Sequence, residues 1–175
     1  MGNVKRWPVL AGVGVVVAAA GWWIVDEMPS VDDAVAREAL PGIDEHLRAL
    51  AGSGDPGVRW VCTQKVIETR PDGDLVKIGL VASCDEVAKE GDGLVTRGGF
   101  RRQPMVYRVE RAPGGYRVLD RKFAEDGAGY SRSVKEMFSW VGARRVLGGA
   151  SPDDPKSLSA AAFGLPESTP VRTGR

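Results

Sequence analysis

The chain has 175 residues, of which 43% are hydrophobic, a composition that accommodates one packed domain. Its single histidine and two cysteines are too few for a structural zinc site built from such ligands. The formal net charge is +1, and no motif is specific for nucleic acid, a cofactor or a metal ion.

The small net charge conceals an asymmetry along the chain. Residues 26–96 contain 15 acidic and 7 basic side chains, whereas residues 97–149 contain 12 basic and 5 acidic ones. Either the two halves occupy separate faces and make the domain dipolar, or they neutralise each other within one sheet. Arginine outnumbers lysine by 17 to 7, a bias typical of high-GC bacterial genomes.

The N-terminal segment 7–25 (WPVLAGVGVVVAAAGWWIV) contains no charged residue. A helix of this length spans about 28 Å, close to the hydrocarbon thickness of a bilayer. Lys5 and Arg6 precede the segment, and acidic residues follow it. Because basic residues stay on the cytoplasmic side, the sequence predicts a cytoplasmic stub (1–6), a transmembrane signal-anchor (7–25) and an extracytoplasmic domain (26–149).

The alternative for the same segment is a cleaved signal peptide. A basic start, a short apolar stretch and three alanines at 18–20 fit this interpretation. Against cleavage, the apolar stretch continues through 22–25, which would leave exposed aromatic residues at a mature N-terminus. Both interpretations place the domain outside the cytoplasm, either anchored in the cell membrane or secreted.

The first predicted element of the domain is a helix. Ser30 is the predicted N-cap, the helix runs over 31–40, Pro41-Gly42 interrupts it, and a second helical piece continues to Ala51.

A β-hairpin is predicted over 59–84 around the turn Pro71-Asp72-Gly73-Asp74. If paired residue numbers sum to 146, the apolar even positions of both strands share one face, and Cys62 lies opposite Cys84. Opposed positions on antiparallel strands bring Cα atoms within disulfide range. The sequence therefore predicts a Cys62–Cys84 disulfide, in keeping with an oxidising compartment.

An acidic connection is predicted over 85–93, followed by a short strand at 94–96 and a flexible basic loop at 97–102. The loop carries Arg97, Arg101 and Arg102, whose planar guanidinium groups suit an anionic ligand or an acidic protein face. The alternative is that these three arginines are ordinary surface residues with no binding role.

A second hairpin is predicted from 103–111 and 116–123, with a register that the sequence leaves open. Ser133 and Glu136 match a capping box, which predicts a helix from there to about Leu147. The tail 150–175 is predicted to be disordered. Together these elements predict an α+β fold, with the transmembrane helix, then a helix packed on a curved antiparallel sheet of about 4–5 strands, and a C-terminal helix.

The last predicted hairpin reads PGGYRVLD at 113–120, a turn followed by an aromatic residue, Arg-Val and an acid. This pattern, with one helix followed by antiparallel strands, resembles small extracytoplasmic bacterial domains of the NTF2-like or cystatin-like kind over residues 31–123. The resemblance implies a curved sheet wrapped on a helix, sometimes with a cavity. Such folds host enzymes and inert scaffolds alike, so the resemblance implies no function.

Candidate catalytic chemistry is limited to His46 and Asp120, which an NTF2-like cavity would bring together as an acid–base pair. The leading hypothesis is a non-enzymatic, membrane-anchored domain that binds a protein partner in the cell envelope, with no metal, cofactor or nucleic acid. The alternatives are an NTF2-like domain that binds or hydrolyses a small ligand, and a soluble secreted protein.

Overall fold

A computed structural model describes residues 30–51 and 57–174. The chain begins with helix α1 (Asp33–Ala51) and continues with strands β1 (Val58–Asp72), β2 (Leu75–Glu90), β3 (Gly93–Ala112) and β4 (Gly115–Phe123). A short 3-10 turn (Gly127–Gly129) then leads to α2 (Tyr130–Met137), α3 (Trp140–Leu147), α4 (Lys156–Ala162) and β5 (Val171–Thr173).

The four long strands form an antiparallel sheet in the order β1-β2-β3-β4, and β5 pairs in parallel with the start of β3. The predicted α+β class, with a helix, a mainly antiparallel sheet and C-terminal helical structure, is confirmed. The predicted anchor at 7–25 lies outside the described residues. Within 30–51 and 57–174, no helix is long and apolar enough to cross a membrane.

Helix α1 packs on one face of the sheet through a buried apolar stripe: Ala36, Ala39, Ile43 and Leu47. The predicted interruption at Pro41-Gly42 is wrong, because α1 continues through Pro41. Proline removes one helical hydrogen bond, but the stripe on both sides of it is anchored in the core. The predicted N-cap is also wrong: Asp32, and not Ser30, accepts the backbone N–H bonds at the helix start, from Ala34 and Val35.

The C-terminal helices cover the opposite face of the sheet. Their core includes Val134, Met137, Phe138, Ala143 and Val146. The single helix predicted to start at Ser133 is wrong, because α2 begins earlier and breaks at Phe138, whose backbone is extended. The N-cap of α3 is Ser139, whose hydroxyl accepts from the backbone N–H of Gly142 at 3.0 Å. Ser133 instead lies buried inside α2.

The segment after residue 150 is ordered, where composition predicts disorder. It forms α4 and β5, and its apolar side chains pack against Val61, Val87 and Leu94 of the sheet. Four residues from this segment make those contacts: Ala162, Phe163, Leu165 and Val171. Burial against a sheet therefore outweighs the low hydrophobicity of the segment as a whole.

The predicted register of the first hairpin is confirmed from Val58 to Val66. A bulge at Ile67 then shifts the pairing by one residue, so that Glu68 lies opposite Gly79 and faces the C-terminal helices. In the second hairpin, Ala112 pairs with Gly115, which fixes the register left open by the sequence.

The predicted connection at 85–93 is shorter than expected, because β2 runs to Glu90 and β3 begins at Gly93. The predicted loop at 97–102 is wrong, because β3 continues through it. Two register shifts between β2 and β3 accommodate the irregular sequence. Gly99 (φ 143°) lies so close to the backbone of Cys84 that no side chain would fit there.

Ion pairs connect the acidic and basic halves of the chain. Three of them cross between the halves: Arg101–Asp85, Arg108–Asp72 and Arg111–Glu38. These contacts support the interpretation in which the halves neutralise each other within one fold.

Candidate functional site

The Cys62–Cys84 disulfide joins β1 and β2 at directly opposed positions, as predicted. Both cysteines are buried, and they belong to the core between α1 and the sheet. No free cysteine remains in the chain. The disulfide is therefore a structural crosslink inside the core and offers no exposed thiol chemistry.

His46 lies on α1 against β4, where its Nε2 contacts the guanidinium of Arg121. The ring also meets Tyr107 edge-on, with centroids 5.9 Å apart. Partial burial lowers the pKa of His46, and the positive charge of Arg121 lowers it further. The imidazole is therefore held neutral as an acceptor for Arg121, which suits a structural contact.

Asp120 does not reach His46, because the two residues lie on opposite sides of the sheet. Asp120 pairs in register with Arg108 and faces a depression that Met137 also lines. Its neighbour Arg121 faces α1, where it contacts His46. The acid–base pair considered from the sequence is therefore not formed.

The space between α1 and the sheet near His46 is filled by side chains. Tyr107 is fully buried there with Ile43 and Met105, and burial raises the pKa of Tyr107 to about 12. Its hydroxyl donates to the sulfur of Met105 at 3.8 Å. This packing supports a structural role for the interface between α1 and the sheet.

The three arginines of the predicted basic loop have different surroundings. Arg101 pairs with the buried carboxylate of Asp85 at 2.7 Å and with Asp154 at 3.3 Å, so it is part of the fold. Arg97 and Arg102 are exposed, and their side chains have no partner within the part of the chain that the structure describes. The sequence could not separate these roles, because all three residues look alike in a Gly-Arg segment.

Arg102 has a left-handed backbone, with φ of 53°. This conformation is unfavourable for a side chain with a Cβ by about 1 kcal/mol and is easily adopted by glycine. The backbone N–H of Arg102 donates to Ser83 Oγ at 3.0 Å, which any residue could do. Arg102 therefore combines a strained backbone with an exposed side chain that makes no hydrogen bond or ion pair within the described ranges 30–51 and 57–174.

The outer edge of β3 is open beside these arginines. Strand β5 covers the edge only over Leu94–Thr96, and β4 begins to pair at Met105. The backbone N–H groups of Gly174 and Ala124 bond the carbonyls of Thr96 and Pro104 at the two ends of the gap. Among the described residues, nothing pairs with the edge between these two points. We call this segment, residues 97–103, the basic edge.

A second exposed surface lies on α3 and was missed by the sequence reasoning. Trp140 is 75% exposed, and the guanidinium of Arg144 lies 5.7 Å from its ring centroid. Leu147, 39% exposed, is one turn further along the same face. The spacing of 140, 144 and 147 is a helical signal that was available in the sequence. We call these three residues the α3 face.

Within the described residues, no group of three or more histidine, cysteine or acidic side chains could hold a metal ion. Comparison of the chain with protein-family models, with curated proteins and with solved structures found no match.

Proposed function

We propose that the protein is a membrane-anchored extracytoplasmic domain that binds a protein partner of the cell envelope through the basic edge. The single observation that carries the binding part is an open strand edge flanked by two unpartnered arginines, Arg97 and Arg102. The membrane part rests on the apolar, uncharged segment 7–25 and its flanking charges.

The disulfide supports the location. Disulfides persist in oxidising compartments such as the periplasm and the cell exterior, and they are rare in the cytoplasm. Cys62 and Cys84 are joined, so an extracytoplasmic domain accounts for them. A secreted form after cleavage near Ala20 is the alternative that the disulfide supports equally.

The chemistry of the basic edge favours an acidic extended segment as the ligand. An open strand edge offers backbone hydrogen bonds to an added strand, and side chains beside it provide specificity. Arg97 and Arg102 would attract carboxylates, because a guanidinium binds them through two parallel hydrogen bonds. Arg101 is excluded from this role, since Asp85 and Asp154 already hold it.

We also propose that the α1–sheet half of the domain is NTF2-like or cystatin-like. A helix packed across an antiparallel meander supports this relation. The second helical layer on the opposite face is an addition to the simplest form of such folds.

The basic edge can be tested without disturbing the fold. We expect the double variant Arg97→Ser, Arg102→Gly to capture its partner from crosslinked membranes at least about tenfold less, since each lost charged contact weakens binding by roughly 1 kcal/mol or more. The same variant should unfold at an equal or higher denaturant concentration, because glycine relieves the left-handed strain by about 1 kcal/mol.

The matched control is Arg37→Ser with Arg132→Ser, two exposed arginines away from the basic edge. This control should capture the same partner as the unmodified chain. Undiminished capture by the basic-edge variant would contradict the proposed binding site.

A further inference from the structure

The α3 face combines an exposed aromatic ring with positive charge. The depression beside Trp140 is lined by two basic side chains, Lys135 and Arg144, and by no acidic one. Arg145 differs from Arg144, because its guanidinium donates to the carbonyl of Ile67 at 2.9 Å and so belongs to the fold. Trp140 and Arg144 are therefore the part of α3 that is available to something outside the domain.

The α3 face lies close to the point where the chain enters the domain. The carbonyl of Ser30, the first described residue, accepts from the backbone N–H of Thr69 at 3.0 Å. The preceding residue, Glu68, accepts from the backbone N–H of Ser139 at 3.0 Å. Trp140 follows Ser139 directly, so two adjacent residues of β1 connect the chain entry to the start of α3.

The predicted anchor ends within reach of this point. Five residue steps separate Val25 from Ser30, and an extended chain covers about 17 Å over that distance. With the anchor of the proposed function in place, a segment this short would hold the domain close to the bilayer and turn the surface next to the entry point toward the lipid headgroups.

The chemistry of the α3 face suits the headgroup region. Tryptophan is favoured at the membrane interface, where its ring meets the acyl boundary and its N–H stays hydrated. Basic side chains near the surface are attracted to anionic lipid phosphates. Leu147 adds an apolar side chain to the same side of α3.

We propose that the α3 face is a membrane-contact surface, with Trp140 inserted at the bilayer interface and Arg144 and Lys135 on anionic headgroups. This inference rests on the membrane anchor of the proposed function and adds a second contact with the same bilayer. It fixes the orientation of the domain. Helix α1 lies on the opposite face of the sheet from α3, so contact through α3 turns α1 away from the bilayer.

Tryptophan quenching in the full-length chain tests the contact. The protein is placed in vesicles of brominated phosphatidylcholine containing about 30% phosphatidylglycerol, an anionic lipid. We expect Trp140→Phe to remove about a quarter of the bromine-quenchable emission, because it removes one of four tryptophans at the bilayer, the others being Trp7, Trp22 and Trp23.

The control variant is Trp60→Phe, since Trp60 packs against the core between α1 and the sheet. It should leave the quenchable emission unchanged. Arg144→Glu with Lys135→Glu should lower the Trp140 component at least twofold, whereas Arg132→Glu on α2 should not.

The outcomes separate this inference from the anchor on which it rests. Equal quenching in the unmodified chain and in Trp140→Phe, with strong quenching of the remaining emission, would overturn the membrane contact and leave the anchor standing. No quenching of any tryptophan would overturn both.

Discussion

Replacement of both Cys62 and Cys84 by alanine is expected to lower the free energy of unfolding by about 3 kcal/mol. The disulfide joins residues separated by 22 positions in sequence, and opening a loop of that size restores conformational freedom to the unfolded chain. Both cysteines are buried in the core beside α1, so the smaller side chains also lose packing contacts. Equilibrium denaturation by urea measures the change.

The reductant provides the control for this experiment. Reduction of the unmodified protein should cause most of the same loss, whereas the double alanine variant should not respond to reductant. A loss below about 1 kcal/mol in both cases would show that the crosslink is incidental to stability.

Replacement of Glu68 by alanine is expected to lower the free energy of unfolding by roughly 3 kcal/mol. Only 1% of this side chain is exposed, and its carboxylate accepts from the backbone N–H and the hydroxyl of Ser139. It also pairs with Arg70 at 2.9 Å. Alanine would leave the N-terminus of α3 and the charge of Arg70 without this partner.

A surface pair provides the matched comparison. Glu110 pairs with Arg117, whose side chain is largely exposed, so Glu110→Ala should lower stability by less than about 1 kcal/mol. Thermal or urea denaturation of both variants gives the difference directly. Similar losses in Glu68→Ala and Glu110→Ala would contradict the role assigned to the buried carboxylate.

The first hairpin could be predicted because two constraints act on it together. Alternating apolar residues fix which positions face the core, and the two cysteines then fix the pairing. The bulge at Ile67 carries no comparable sequence signal, because it depends on the burial of Glu68 against α3. The orientation of Glu68 is therefore a tertiary effect that period-two reasoning could not provide.

The irregular part of β3 was predicted as a loop because Gly98 and Gly99 are poor strand formers. In the fold, Gly99 allows close approach to the backbone of Cys84, so the glycine is what lets the strand continue. The C-terminal segment was predicted to be disordered for a related reason. Its few apolar residues, such as Phe163 and Leu165, lack a periodic pattern but find a sheet surface to cover.

The candidate site, too, could be predicted from the sequence only in part. Arginine content identified the basic edge, but the separation of Arg101 from Arg97 and Arg102 needed the position of Asp85. The pairing of His46 with Asp120 depended on which side of β4 faces α1, and Asp120 lies on the other side. A two-residue turn and a bulge between β3 and β4 set which face of the sheet each β4 side chain occupies, and composition specifies neither.

In the function proposed above, the N-terminal segment delivers the domain to an oxidising side of the membrane. The most direct test is alkylation of the membrane fraction with a high-mass maleimide in denaturant, which exposes the buried positions 62 and 84, without reductant, after expression of the full-length chain in a bacterial host. We expect no mass shift, because Cys62 and Cys84 are joined, and a shift of two labels in a chain lacking residues 1–29. Two reactive thiols in the full-length membrane-bound protein would contradict the claim.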